Sequence, residues 1–440
     1  MRGLRPAYIR PPMTAPSASV PRDPVWWCLL IVAAFTALAS WHLAIPHSIY
    51  FDEVHYTKAA RVLLTLDRPV NAEHPMLGKE LIGLGMILFG DNSFGWRFFS
   101  LVFGAIGLFA FSRALWLTSL SRFAAIAGTL LVATDFAWFI QSRIAMLDMF
   151  MAAFAMIALW QLAAAVRTQR HARVHLALAG IALGLALGAK WSIAPAAVLP
   201  GLTFLIVRAK TSGRRFLIAR DGAPVDGVSL IEAALWLGVV PALVYLATFA
   251  PGLFYAHDPL TVRGLIPLQH RMIELQDSVI KHHPYQSVWY QWLGDWRAIW
   301  YLYEVVDGAR RGIVLIGNPL TMISGLPAVL WALWAGIWRG RRDALACAVL
   351  YLVCTGFWAL SGKPVQFYYH YLLPGTFLMA CLALALDELW RKSGRWQITP
   401  ALILGGAAAM FVYFYPIISA QPLYHGRPSF ERWMWLKSWR

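Results

Sequence analysis

Residues 25–55 read VWWCLLIVAAFTALASWHLAIPHSIYFDEVH: an apolar run from Val25 to Ile45 that breaks at Pro46 and leads into Tyr50-Phe51-Asp52-Glu53-Val54-His55. A run without Asp, Glu, Lys or Arg that reaches the ~20 residues needed to cross the hydrocarbon core reads as a transmembrane helix. It is longer than a signal-peptide core, and a basic, Pro-rich segment (1–24) precedes it. The run therefore predicts an uncleaved first span with a cytoplasmic N-terminus, which puts Asp52 and Glu53 just outside the membrane. A second polar cluster follows at His74-Pro75-Met76-Leu77-Gly78-Lys79.

The rest of the 440-residue chain agrees with that first span: 59% of residues are hydrophobic, 14% are charged, and 22 are Trp. A water-soluble domain could not hide so much apolar surface, so lipid is the solvent for most of it. The expected fold class is all-α and polytopic. The net charge of +16 falls mainly in short connections between apolar runs. Positive charge retained on the cytoplasmic side accounts for that pattern, and no nucleic-acid partner is implied. Cys28, Cys347, Cys354 and Cys381 lie within apolar runs without metal-type spacing and read as small buried hydrophobes.

Further apolar runs occur near 94–116, 123–140, 144–166, 231–250, 313–338, 343–360, 366–386 and 399–418. The stretch 175–207 is basic on both flanks, so it is expected to go out and back with an outer turn at Lys190-Trp191. The count is then about 11 spans. Two external loops result, 46–93 and 251–312, within a membrane domain of 25–418. A tail of 419–440 is external, although Arg427, Arg432, Lys437 and Arg440 there run against the charge bias. Val62, Leu63, Leu66, Leu77, Leu81, Leu84, Ile87 and Leu88 recur at helical spacing, so the first loop is expected to form helices lying in the interface.

Adjacent carboxylates on a helix point about 100° apart, so only one of Asp52 and Glu53 can face a given site. Either could act as general base toward a hydroxyl, or the two could be a solvated interfacial pair. Pro75 suits a first helical turn, with His74 as a cap or outward hydrogen-bonding group. Lys79 reads as a snorkelling cation or a site residue. Arg143, in Gln141-Ser142-Arg143, falls outside by parity, where its planar fork would suit a phosphate; a structural pair with Asp148 is the alternative. Lys190, Lys363 and His370 fall on the same side. Their convergence points to an external site for an anionic, membrane-borne ligand.

Phe51-Asp52-Glu53-Val54-His55, His74-Pro75-Met76-Leu77-Gly78-Lys79, Gln141-Ser142-Arg143-Ile144 with Leu147-Asp148-Met149, Ala189-Lys190-Trp191, His283-Pro284-Tyr285-Gln286-Ser287, Gly317-Asn318-Pro319-Leu320 and Tyr369-His370-Tyr371-Leu372 resemble, in order, the motifs of the protein O-mannosyltransferase family. The terminal Trp433–Trp439 resembles the end of bacterial members. The resemblance implies the GT-C membrane glycosyltransferase fold. It also implies transfer of mannose, with inversion, from polyprenyl-phosphate mannose to Ser/Thr hydroxyls of secreted or membrane proteins, at the outer face of the bacterial inner membrane. Asp52 then matches the base and Glu53 its acidic neighbour. Arg143 lies near the donor phosphate, with Lys190, Lys363, His370 and Tyr371 as further phosphate-binding candidates. His55, His74, Lys79, Asp148, His283 and Asn318 would shape the site. Met76 replaces the family's usual second proline, and 251–312 is too short for the lumenal module of eukaryotic members.

A departing monophosphate can be neutralised by fixed cations, so no obligatory metal is expected, though Asp52 and Glu53 could be ligands. The nearest alternative is a GT-C transferase that modifies a glycolipid or lipid A-type acceptor. A lipid or solute transporter fits less well, because transporter sites lie near the midplane between repeats.

Overall fold

A computed structural model describes residues 21–278, 280–423 and 429–440. The N-terminal basic segment lies almost wholly outside the described residues, as does Arg427 of the tail. The helices, in chain order, are α1 (Val25–Ser40), α2 (Glu53–Leu64), α3 (Leu77–Phe89), α4 (Ser93–Ser119), α5 (Arg122–Ala133), α6 (Phe136–Gln141), α7 (Leu147–Arg167) and α8 (Ala172–Ala189). They continue as α9 (Trp191–Arg215), α10 (Leu230–Phe254), α11 (Leu265–Asp277), α12 (Pro319–Trp338), α13 (Arg342–Leu360), α14 (Tyr368–Arg391) and α15 (Gly394–Ile418). Among the described residues nine of these are long and apolar enough to cross a membrane, and α1 and α5 are apolar but shorter.

Local chemistry explains where these helices depart from simple runs. The expected span 123–140 is broken: α5 stops at Ala133, and Asp135 caps α6 by accepting from the Trp138 amide at 3.0 Å. A buried carboxylate holding an orphan helix-end N–H satisfies both groups at once. In α10 the five residues Leu235–Val239 widen to π geometry just before Pro241. Proline lacks the N–H for an i−4 bond and its ring crowds that carbonyl, so the turn opens. The run expected at 313–338 begins as strand, and the helix starts only at Pro319.

Both helices expected in the first loop are present, as α2 and α3. Helix α3 begins at Leu77, however, so Pro75 lies before the helix rather than in its first turn, and no side chain caps the start. The second loop holds an unexpected two-stranded antiparallel hairpin, β1 (Ile299–Val306) with β2 (Ala309–Leu315), paired from Ile299↔Leu315 to Val306↔Ala309. Its turn, Asp307-Gly308, has both residues at positive φ (50° and 70°), which suits the primed turns that match strand twist.

Helix α7 packs between α4 and α8, and α14 is the most enclosed span, packed by α12, α13 and α5. Close approach of α8 to α10 depends on Gly180, Gly184 and Gly188. A Cβ at Gly180 would strike the Trp236 carbonyl, and one at Gly184 would lie 2.6 Å from the Pro241 carbonyl oxygen. Small residues four apart let helix backbones pack directly where lipid offers no hydrophobic drive. The four cysteines are free and buried, as their apolar settings suggested.

Candidate active site

The site begins where α1 gives way to α2. Phe51 sits at φ 50°, in the left-handed region, and its ring stacks on Tyr301 of β1 at 3.9 Å. This sharp turn delivers Asp52 and Glu53 to opposite surroundings, as their angular separation on a helix requires. Glu53 turns inward and is fully buried. Its Oε1 accepts from Arg97 Nε at 2.7 Å and from the Ala145 amide at 3.1 Å, and its Oε2 accepts from Arg97 Nη2 at 2.9 Å and the Tyr50 amide at 3.3 Å. Arg97, also fully buried, donates further to the carbonyls of Leu43, Pro46 and Ser48. Glu53 thus ties the α1–α2 loop, α4 and the segment just before α7 together and has no oxygen free for a substrate.

Asp52 is different. It is half-buried, and its carboxylate makes no hydrogen bond or ion pair with any described residue. Burial pushes its pKa up to about 6, while Lys190, His55 and Lys363 act against the rise and Asp148 adds to it. It is a carboxylate of raised basicity, left without a partner, among cations.

Those cations come from distant parts of the chain. Lys190 follows α8 at the turn expected there, and its Nζ donates to both oxygens of Asp148 at 2.8 and 2.7 Å. It also lies 4.8 Å from the ring centre of Tyr369, whose edge meets Phe51. Asp148 therefore pairs with Lys190 and not with Arg143. Lys363 lies between α13 and α14, and its ammonium makes no hydrogen bond or ion pair with any described residue; burial lowers its pKa to about 8, with Lys190 adding to the effect. His370 stacks on Trp358 at 3.8 Å, and its Nδ1 accepts from the Phe367 amide at 3.1 Å. An accepting Nδ1 leaves the proton on Nε2, which is then a donor. Asp148, Ser192, Trp358, Tyr369 and His370 line a small cleft of about 10 Å³.

His74 is half-buried beside Tyr56, and burial together with Lys190, Lys79 and Lys363 holds its pKa well below the usual range, so it is neutral. It caps no helix. Lys79 neither snorkels nor faces the cleft: it is buried, its Nζ donates to the carbonyls of Asn71 at 2.7 Å and His74 at 2.9 Å, and burial lowers its pKa to about 8. It holds the loop that carries His74. His55 is exposed one turn from Asp52. His283 packs edge-on against Phe367 at 5.1 Å.

Three expected site residues are occupied elsewhere. Arg143 spends its guanidinium on the carbonyls of Ala39, Trp41 (2.8 Å) and His42 (3.2 Å), so its fork is not open to a phosphate; it fastens the end of α1. Tyr371 hydrogen-bonds the Tyr351 hydroxyl at 3.0 Å inside the bundle. Asn318 is fully buried and donates to the carbonyls of Thr134 and Ala407 at 3.1 and 2.9 Å, which joins α12 to α5 and α15. Sequence reasoning missed Arg97 and Tyr301. An arginine five residues into an apolar span was a readable signal, since an intramembrane charge needs a partner. Tyr301 carried no such mark. Among the described residues no group of three or more His, Cys, Asp or Glu side chains is arranged to hold a metal ion.

Residues 87–255 match the family model described as dolichyl-phosphate-mannose-protein mannosyltransferase, and residues 261–439 match the C-terminal four-transmembrane region of protein O-mannosyltransferase. A polyprenol-phosphate-mannose-protein mannosyltransferase of Corynebacterium glutamicum is 28% identical, with 95% of this chain and 94% of that one covered. One of Mycolicibacterium smegmatis is 26% identical, covering 94% and 93%. In fold, the chain is similar to the Saccharomyces cerevisiae Pmt1-Pmt2 complex bound to the sugar donor (TM-score 0.78, 14% identity, covering 96% of this chain and 93% of that one). It is also similar to ArnT of Cupriavidus metallidurans bound to undecaprenyl phosphate (TM-score 0.56, 18% identity, covering 93% and 68%). Two adjoining family models and full-length relatives converge on one assignment: the chain belongs to the protein O-mannosyltransferase family and has the GT-C membrane glycosyltransferase fold.

Proposed function

We propose that this enzyme transfers mannose from polyprenyl-phosphate mannose to Ser or Thr hydroxyls of proteins by a single displacement, with Asp52 as the base. The observation that carries this reading is the unpartnered, half-buried Asp52 carboxylate, basic enough to take a proton and set among Lys190, Lys363 and His55. Asp52 accepts the acceptor's hydroxyl proton as that oxygen bonds to C1 of the sugar. The bond from C1 to the phosphate oxygen breaks on the opposite face, so the anomeric centre inverts. Lys363 and Lys190 neutralise the phosphate that departs with its lipid, and the Nε2 proton of His370 serves as a donor to it. Fixed cations that need no reorganisation stabilise such developing charge most effectively.

Glu53, Arg97 and Arg143 are positioning residues in this scheme, because they hold the α1–α2 turn and touch no substrate. The basic helix ends near Arg113, Arg167, Arg339 and Arg341 lie away from Asp52, which supports a cytoplasmic N-terminus and a periplasmic site in a bacterial inner membrane.

The test is sugar transfer by the lipid-reconstituted chain from polyprenyl-phosphate mannose to a Ser/Thr-rich peptide, with Asp52→Asn alongside. Loss of general-base catalysis should lower turnover by about 10²-fold or more, with donor binding retained. Equal turnover by the variant would remove Asp52 as base. Transfer to a glycolipid but never to peptide would reassign the acceptor.

A further inference from the structure

A second cavity lies far from Asp52. It is an apolar crevice of about 500 Å³ between α4, α7, α9, α13 and α14, within the size range of ligand sites, about 300–1,000 Å³. Phe111, Leu159, Thr203 and Leu350 form its walls, and the exposed Val166 and Ala346 mark where it opens toward lipid. Two arginines, Arg167 and Arg342, stand at its mouth.

Helix geometry fixes which end of the bundle this is. Arg167 ends α7 and Asp148, the partner of Lys190, begins it; nineteen residues at about 1.5 Å each separate them by about 28 Å, the thickness of the hydrocarbon core. The mouth therefore sits at the opposite membrane face from the Asp52 cleft.

Charge at the mouth is unbalanced. Asp343, the nearest carboxylate in the lining, is held by Arg341 in a two-pronged pair at 2.9 and 2.7 Å. Arg342 is exposed and makes no hydrogen bond or ion pair with any described residue. Arg167 donates to the carbonyls of Leu117 at 2.6 Å and Thr118 at 2.9 Å, the last turn of α4, and meets no carboxylate. Neither arginine is needed to neutralise an acid among the described residues. A cationic rim above an apolar slot between transmembrane helices matches the two halves of a lipid, and the headgroup it selects is anionic.

We infer that this crevice binds one anionic phospholipid, with an acyl chain between α7 and α13 and its phosphate on Arg342 and Arg167. The site is separate from the carrier-lipid chemistry at Asp52 and does not depend on it.

The full-length chain, purified and delipidated in detergent, is titrated with phosphatidylglycerol or phosphatidylcholine and read by native mass spectrometry. One phosphatidylglycerol should be retained about thirtyfold more tightly than phosphatidylcholine, the preference that two arginines at about 1 kcal/mol each give. Arg342→Gln should cut that preference to about fivefold. Ala346→Trp, which fills the slot, should weaken both. Arg395→Gln, on an exposed arginine elsewhere, should change neither. Equal retention of both lipids by the native chain, or undiminished selectivity in Arg342→Gln, would overturn the proposal. So would retention of undecaprenyl phosphate in preference to phosphatidylglycerol, which would give the crevice to the carrier lipid.

Discussion

At the scale of single residues, the division between Asp52 and Glu53 sets what the site can do. One carboxylate is saturated by Arg97 and two backbone amides, and the other is left with nothing. With Asp52 at about 6 and Lys363 at about 8, the base is ionised above the first value and the cation persists below the second. We expect kcat/KM to rise through pH 6 and fall above pH 8, and Lys363→Met to lower activity and erase the upper limb. A profile that stays flat from pH 5 to 7 would contradict the base assignment. The same shift affects stability. A carboxyl whose folded pKa is raised from an unfolded value of about 3.9 favours folding most at low pH. That contribution is lost as pH climbs from about 4 through about 6. Asp52→Asn, which no longer has a charge to bury, should therefore melt higher than the native chain at pH 7 while losing activity.

At the scale of elements, buried polar staples fix how loops meet helices. Removing Arg97 leaves the Glu53 carboxylate buried without its ion partner, which typically costs about 3–5 kcal/mol. Arg97→Met should lower the melting temperature markedly, and Arg97→Met with Glu53→Gln should recover part of it, because the uncompensated charge is gone. No recovery in the double variant would place the loss in Arg97's bonds to the loop carbonyls instead. The hairpin has a staple of its own: Trp300 Nε1 donates to the Trp439 carbonyl at 2.8 Å, and the Trp439 ring is buried. Trp439→Ala should cost about 3–5 kcal/mol locally, as large-to-small changes at buried aromatics do. Limited proteolysis of the 296–315 region reads this out, and unchanged protection would show that the tail is not what holds the hairpin.

At the scale of the whole molecule, polar chemistry gathers at one membrane face and basic helix ends at the other. Single cysteines placed at exposed His55 and exposed Arg395, in a chain with its four native cysteines replaced, should label from opposite sides of sealed vesicles. Labelling of both from one side would overturn the arrangement of spans. Close contact of α8 and α10 is a second property of the assembly. Gly184→Leu would drive a side chain into the Pro241 carbonyl and separate these two helices.

The amino-acid sequence by itself determined that lipid is the solvent for most of the chain, where most of the apolar runs lie and that a turn falls at Lys190, and it singled out Asp52, Lys190, Lys363 and His370 as candidates. Each depends on a local quantity: hydropathy over about 20 residues, the side on which charge is retained, or a short motif. Only the tertiary structure decided which carboxylate is free, that Lys190 pairs with Asp148, and that Arg143 and Asn318 are fasteners. Those outcomes are settled by contacts across 42 to 184 positions of chain. A charged side chain's role depends on which partner reaches it first, and neither its type nor its neighbours in sequence record that. The hairpin escaped notice for a related reason: Ile299–Leu315 has its inward face covered by the tail and α15, so its apolar residues did not stand apart from the spans beside them.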